Sequence, residues 1–170
     1  MCWENRVIEL AFLASNSYAS EVLVQSSEES EEESMSPTPI MFIDDDKDYL
    51  AFLKMACKKV DSLNVCCTAC DGEEAIATLR ARIGAKEELP HVIFVDINMP
   101  GMDGFGFLQA FAALRDEFPQ ELSNVRPVAM LTSSCQGRDR ERAYELGADE
   151  YFVKPMDLAD TREILQTLVS

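Results

Sequence analysis

Positive charge is scarce in this chain. Its 170 residues carry 15 lysines and arginines against 31 aspartates and glutamates, a formal net charge of −16. A surface of that sign repels phosphate, which argues against electrostatic binding to nucleic acid or to an anionic membrane face. Long apolar runs are lacking as well, and none approaches the roughly 20 residues that cross a bilayer. Val7 to Ala14 is apolar, but Glu9 interrupts it and Glu4 nearly cancels Arg6. A secretory leader needs a clean apolar stretch behind positive charge, so the expected compartment is the cytoplasm. Histidine is almost absent. His91 stands alone, so the C-x-x-C spacing of Cys67-Thr68-Ala69-Cys70 lacks the second ligand pair of a zinc site. The six cysteines are Cys2, Cys57, Cys66, Cys67, Cys70 and Cys135, three of them within five residues. Such crowding makes no sensible disulfide framework, and reduced, mostly buried thiols are expected.

What is present changes abruptly near residue 38. Ser26 to Ser36 reads SSEESEEESMS, followed by Pro37 and Pro39. An acidic, serine-rich run cannot bury apolar surface, so residues 1–38 are expected to form a disordered or weakly structured extension. A docking helix within Val7 to Val24 is the competing expectation, and Met35 is a candidate start codon. Eight of the 31 acids and one of the 15 bases fall in residues 1–39, so 23 acids and 14 bases remain for the rest. Much of the negative charge therefore belongs to the extension.

From residue 39 onward, short apolar runs alternate with helical spacing. Strands are expected at Ile40 to Ile43, Val65 to Ala69, His91 to Val95, Pro127 to Leu131 and Glu150 to Val153. Helices are expected at Asp48 to Val60, Gly72 to Ile83, Phe105 to Phe118, Asp139 to Leu146 and Asp157 to Val169, with Gly147 as a C-cap. The strands are continuous apolar runs, as in sheets covered on both faces. Five such alternations predict an α/β fold, a five-stranded parallel doubly wound sheet over residues 39–170. Sites in these sheets form beyond the carboxyl ends of the strands.

The residues at those ends are chemically coherent. The first strand runs into Asp44 and Asp45, the third into Asp96, the fourth into Thr132 and the fifth into Lys154. Each alone reads as a cap or a loop residue; four suitable types at four strand ends are hard to reach by accident. Clustered carboxylates oppose one another's ionisation, and a hard divalent cation such as Mg²⁺ relieves this. Asp96 is then a candidate nucleophile for a phosphoryl group, with Lys154 and Thr132 on its oxygens.

Residues 40–170 resemble the receiver domains of bacterial two-component response regulators, specifically single-domain, chemotaxis-regulator-like ones. The segments that carry the resemblance are IMFIDDDKD, VIFVDINMPGMDGF, PVAMLTSS and GADEYFVKP, in that order. It implies a flavodoxin-like strand order 2-1-3-4-5. By position it implies that Asp96 is the phosphoacceptor. Asp44, Asp45 and Asp96 are implied as Mg²⁺ ligands, with Asn98 through its backbone carbonyl. Thr132 is implied as the switch hydroxyl, Tyr151 as the switch aromatic, and Lys154 as the partner of the phosphoryl group. The bond from Lys154 to Pro155 is implied to be cis. Two connections, near Gly84 to Leu89 and Pro119 to Arg126, are longer than the family minimum, and Cys135 reads as a plain loop residue.

The expected function is that of a stand-alone response regulator, since the chain ends just past its fifth helix. It would accept a phosphoryl group from a sensor histidine kinase or a histidine phosphotransfer protein. It would signal by contact with a downstream protein, with no nucleic acid or membrane as partner and no enzymatic activity of its own. An aspartate-nucleophile phosphatase is the alternative, but it wants an acid two residues past the nucleophile, where Asn98 stands. A non-phosphorylated receiver-like scaffold is a further one, which the complete set of acids, hydroxyl and lysine opposes.

Overall fold

The computed structural model describes residues 36–133 and 137–168. The expected extension up to residue 35, the docking helix and Cys135 lie outside the described residues. Ten elements alternate: β1 Thr38–Ile43, α1 Lys47–Cys57, β2 Leu63–Ala69, α2 Gly72–Ala85, β3 Val92–Asp96, α3 Gly104–Glu117, β4 Val128–Thr132, α4 Gly137–Glu145, β5 Glu150–Val153 and α5 Leu158–Thr167. The strands are all parallel, in the order β2-β1-β3-β4-β5. This is the expected doubly wound, flavodoxin-like sheet.

The apolar runs divide by parity. Ile40, Phe42, Val92, Phe94, Ala129 and Leu131 pack with Leu50, Leu53 and Ala56 of α1 and Leu165 of α5. Met41, Ile43, Ile93, Val95, Val128 and Met130 pack on the opposite face with Leu79 of α2 and Phe107, Phe111 and Leu114 of α3. Alternate strand residues point to opposite faces, so an unbroken apolar strand feeds two cores at once.

Several boundaries differ from expectation. β1 starts at Thr38, because the Thr38 N–H donates to the Ser62 carbonyl and extends the ladder beyond the apolar run. α1 stops at Cys57, where successive turns through Val60 and Leu63 take over. It buries Leu50, Leu53, Ala56 and Cys57 and leaves Tyr49 and Phe52 half-buried. The long α3–β4 connection is not merely a surface loop, since Leu122 and Val125 enter the core. Gly147 adopts φ +96° just past α4, as a C-terminal glycine should. The Lys154–Pro155 bond is not cis. Among the described residues the cis bond is Arg126–Pro127. An X–Pro bond prefers trans only weakly, so a family habit does not dictate its isomer.

Candidate functional site

The strand register sets the site. Ile43 pairs with Val95, so Asp44 and Asp96 emerge side by side from β1 and β3. Asp96 pairs with Leu131, and Thr132 pairs with Val153, so Thr132 and then Lys154 lie successively further out. Asp44, Asp96 and Lys154 continue the parity of Phe42, Phe94 and Phe152, which pack toward α1 and α5. Thr132 continues the parity of Val128 and Met130, on the other face.

The three charged side chains meet. Lys154 Nζ lies 2.7 Å from Asp44 Oδ2 and 2.9 Å from Asp96 Oδ2. Both carboxylates are nearly closed to solvent, at 2% and 5% exposure for Asp44 and Asp96. The backbone supports each acid. Ile97 N–H donates to Asp96 Oδ1 at 2.8 Å, and Asp46 N–H donates to Asp44 Oδ1 at 3.0 Å. Burial pushes the Asp44 carboxyl above its ordinary range, although its bond to Lys154 works the other way. Burial disfavours the Lys154 ammonium, but its hydrogen bonds to Asp44 and Asp96 outweigh that and hold its pKa up.

Asp45 is exposed, yet one carboxylate oxygen from each of Asp44, Asp45 and Asp96 falls within 4.8 Å of the others. These are hard oxygen donors with an open side, a donor set that suits a magnesium ion. Asp46, the third acid of the run, has a different task. It is the N-cap of α1, accepting from Asp48 N–H and Tyr49 N–H at 2.9 and 3.1 Å. Asn98 lies exposed on the loop two residues past Asp96. Thr132 is fully buried, and its carbonyl accepts the Lys154 N–H at 2.8 Å, tying β4 to β5. Tyr151 is buried in β5, packed in the same core as Met130, with the Arg140 guanidinium 5.9 Å from its ring centre.

Two site features escape a reading of spacing. The Tyr49 ring lies 4.8 Å from Lys154 Nζ, a cation–π distance, while its hydroxyl is buried without a hydrogen-bond partner. Burial first, then the charges of Asp44 and Asp96, push that phenol upward. Gly104 opens α3 against the back of Asp96. A Cβ there would run into the Asp96 carbonyl oxygen and come within 2.9 Å of Ile97 Cα. A glycine here serves a close approach of backbone to backbone.

A doubly wound sheet with a lysine-clasped acidic pocket on its carboxyl edge defines a flavodoxin-like domain built around an acidic site. Residues 40–166 match the family model described as response regulator receiver domain, and the chain belongs to that family of two-component systems. It is 36% identical over 121 residues to the transcriptional regulatory protein PrrA of Mycobacterium tuberculosis, covering 71% of this chain and 45% of that protein. The chain thus spans less than half the length of that curated relative. Among solved structures, the phosphorylated cyanobacterial phytochrome response regulator RcpA is 25% identical with a TM-score of 0.65, covering 79% of this chain and 96% of that one. The chemotaxis protein CheY4 of Vibrio cholerae is 26% identical with a TM-score of 0.63, covering 78% and 99%.

Proposed function

We propose that Asp96 is the phosphoacceptor of this receiver, charged by a sensor histidine kinase or a histidine phosphotransfer protein. The observation that supports it most is the clasp of Lys154 on two buried carboxylates. The Asp96 Oδ1 atom is committed to Ile97 N–H, which leaves Oδ2, on the lysine side, as the attacking oxygen. A P–O bond forms at Oδ2 as the P–N bond to the donor imidazole breaks, and the imidazole takes up a proton. Lys154 moves with the phosphoryl group and neutralises one of its oxygens. The Thr132 hydroxyl donates to another.

Asp44, Asp45 and Asp96, with the Asn98 carbonyl, would hold Mg²⁺. Bound there, it offsets charge on the carboxylates and the phosphoryl oxygens. Thr132 and Tyr151 share a face of the sheet, so inward movement of the hydroxyl frees space for the ring to repack. The signal then leaves through the surface of α4, β5 and α5 to a protein target. We assign no nucleic-acid contact to the receiver unit, whose acids outnumber its bases. The receiver runs from Thr38 at the start of β1, the residues before it serve neither its folding nor its chemistry, and it works in the cytoplasm.

The test is labelling with acetyl phosphate, followed by mapping of the modified peptide. One phosphoryl group on Asp96, dependent on Mg²⁺ and lost in Asp96→Asn, is expected. Equal labelling in a chelator, or in the variant, removes the assignment. Repeating the assay on a chain lacking residues 1–34 checks the boundary.

A further inference from the structure

The cysteines on the other flank of β1 do not assemble as their spacing suggests. In C-x-x-C, Cys67 lies within β2 and Cys70 just past its end at Ala69, so strand rise sets the two roughly 10 Å apart. The pair that meets is Cys66 and Cys67, whose Sγ atoms are 3.6 Å apart. Neighbouring residues of a regular strand point to opposite faces, so this contact needs a local irregularity. The pairing of β1 with β2 supplies it. Ile40 pairs with Val65 but Met41 pairs with Cys67, so Cys66 is the extra residue of a bulge. β2 is also an outer strand of the sheet, and both thiols are only half-buried.

We propose that Cys66 and Cys67 form a redox-responsive dithiol that takes a low-molecular-weight disulfide as its oxidant.

The two sulfurs have different characters. The bond to Cys67 holds the Cys66 thiol below its ordinary range, and the Arg82 guanidinium adds to that against burial and Glu88. The same contact, with burial, pushes Cys67 up. Cys66 is thus the attacking thiolate and Cys67 the resolving thiol. By contrast, burial alone raises the Cys57 thiol to about 12, which makes it inert. In the first step Cys66 Sγ bonds to one sulfur of the oxidant, whose S–S bond breaks and releases one thiol. In the second, Cys67 loses its proton and attacks Cys66 Sγ, releasing the second small thiol. Two electrons pass from the pair to the oxidant, whose two sulfurs leave as thiols. Adjacent Cα atoms sit about 3.8 Å apart, below the usual disulfide range, so the product is strained and easily reduced. Such a bond suits a reversible sensor and not a structural staple. Closing it would draw on the Cys66 sulfur, which lies 3.4 Å from the Ile40 carbonyl of β1.

The experiment exposes the reduced full-length protein to oxidised glutathione, quenches with acid, alkylates and maps the thiols by mass spectrometry. The expected product is a Cys66–Cys67 disulfide without bound glutathione, reversed by mild thiol. In Cys67→Ser the reaction should stop at a glutathione adduct on Cys66. In Cys66→Ser, Cys67 should remain alkylatable. The folded protein should close the pair roughly tenfold faster than the urea-unfolded chain, because the bulge presents the thiolate. An unreactive pair, a Cys67–Cys70 disulfide, or equal rates with and without urea would overturn the proposal, and the wild-type arms do not depend on any variant folding.

Discussion

Strands β1, β3 and β4 are buried along nearly their whole length, while the outer strands β2 and β5 are mostly half-exposed or exposed. The difference explains where the chemistry sits. A central strand is paired on both edges and covered on both faces, so it tolerates only apolar residues until it leaves the sheet. The polar residues at its carboxyl end are therefore held by rigid neighbours. That is how Asp44, Asp96 and Thr132 are placed. The outer strands carry the parts proposed here to move or react: Lys154 at the end of β5, and the bulged Cys66–Cys67 pair in β2.

The most severe way to break this contrast is to disturb a central strand from behind. Gly104→Ala puts a methyl group against the Asp96 carbonyl and Ile97 Cα, both backbone atoms that cannot swing aside. Overpacking of this kind costs about 2–3 kcal/mol. A large fall in melting temperature with loss of phosphoryl acceptance is expected. A variant with wild-type stability would show that β3 and α3 can slide apart, and that the central strands are not rigid.

Altering the outer strand should leave the fold and damage only the chemistry. Lys154→Met removes the ammonium that spans Asp44 and Asp96 and keeps the apolar stem. Labelling by acetyl phosphate should slow by about a hundredfold, the usual loss of one charge-stabilising donor. Circular dichroism should show the fold intact. An unchanged labelling rate would mean that the clasp belongs only to the resting protein.

Tyr49 sharpens the contrast, because its ring and its hydroxyl should act with opposite signs. The ring faces the Lys154 ammonium, and the hydroxyl is buried without a partner. Tyr49→Phe keeps the ring and removes a polar group that costs about 1 kcal/mol or more when unsatisfied. It should melt at a higher temperature and label normally. Tyr49→Leu should lose the cation–π contact, worth about 1 kcal/mol, and label several-fold more slowly. If both variants label alike, the ring does not position the lysine.

These residues also mark how far the fold and the site can be read without coordinates. The parallel sheet follows from runs such as Val92 to Val95, because full burial leaves an unbroken apolar signature, whereas its strand order is implied only by the resemblance to receiver domains. The acids and Lys154 were legible for the same reason, as polar residues ending such runs. Tyr49 was not, because a half-buried aromatic on a helix has the same spacing as a core one. Nor was Gly104, because its close approach to Asp96 is a tertiary contact. The capping role of Asp46 was also hidden, since only the helix start shows which acid is the cap. The vicinal thiols depend on a bulge, and register irregularities leave no periodic trace.

The smallest expected effect concerns the cost of holding Asp44 ionised. Its pKa is raised, with burial as the leading cause, so the folded protein disfavours its charged form. At neutral pH that carboxylate therefore subtracts from stability in the metal-free protein, and the penalty fades as pH falls through its raised pKa. Asp44→Asn keeps the shape and removes the charge. Without Mg²⁺ at pH 7 it should melt about 3 °C higher than wild type. The gap should close toward acid, where wild-type Asp44 takes up its proton. Lys154 works in the opposite sense. Its raised pKa means that its contribution is complete below the ordinary lysine value and is lost as pH rises through the folded one. The gap between Asp44→Asn and wild type should therefore widen at strongly alkaline pH, where the wild-type carboxylate loses its partner. Adding Mg²⁺ at pH 7 should raise the wild type more than the variant and shrink the difference. Melting curves across pH, with and without the metal, read all of this in one series. A variant that melts below wild type at neutral pH would show that the bond to Lys154 outweighs the burial of Asp44, so that the central acids are stabilising in their own right.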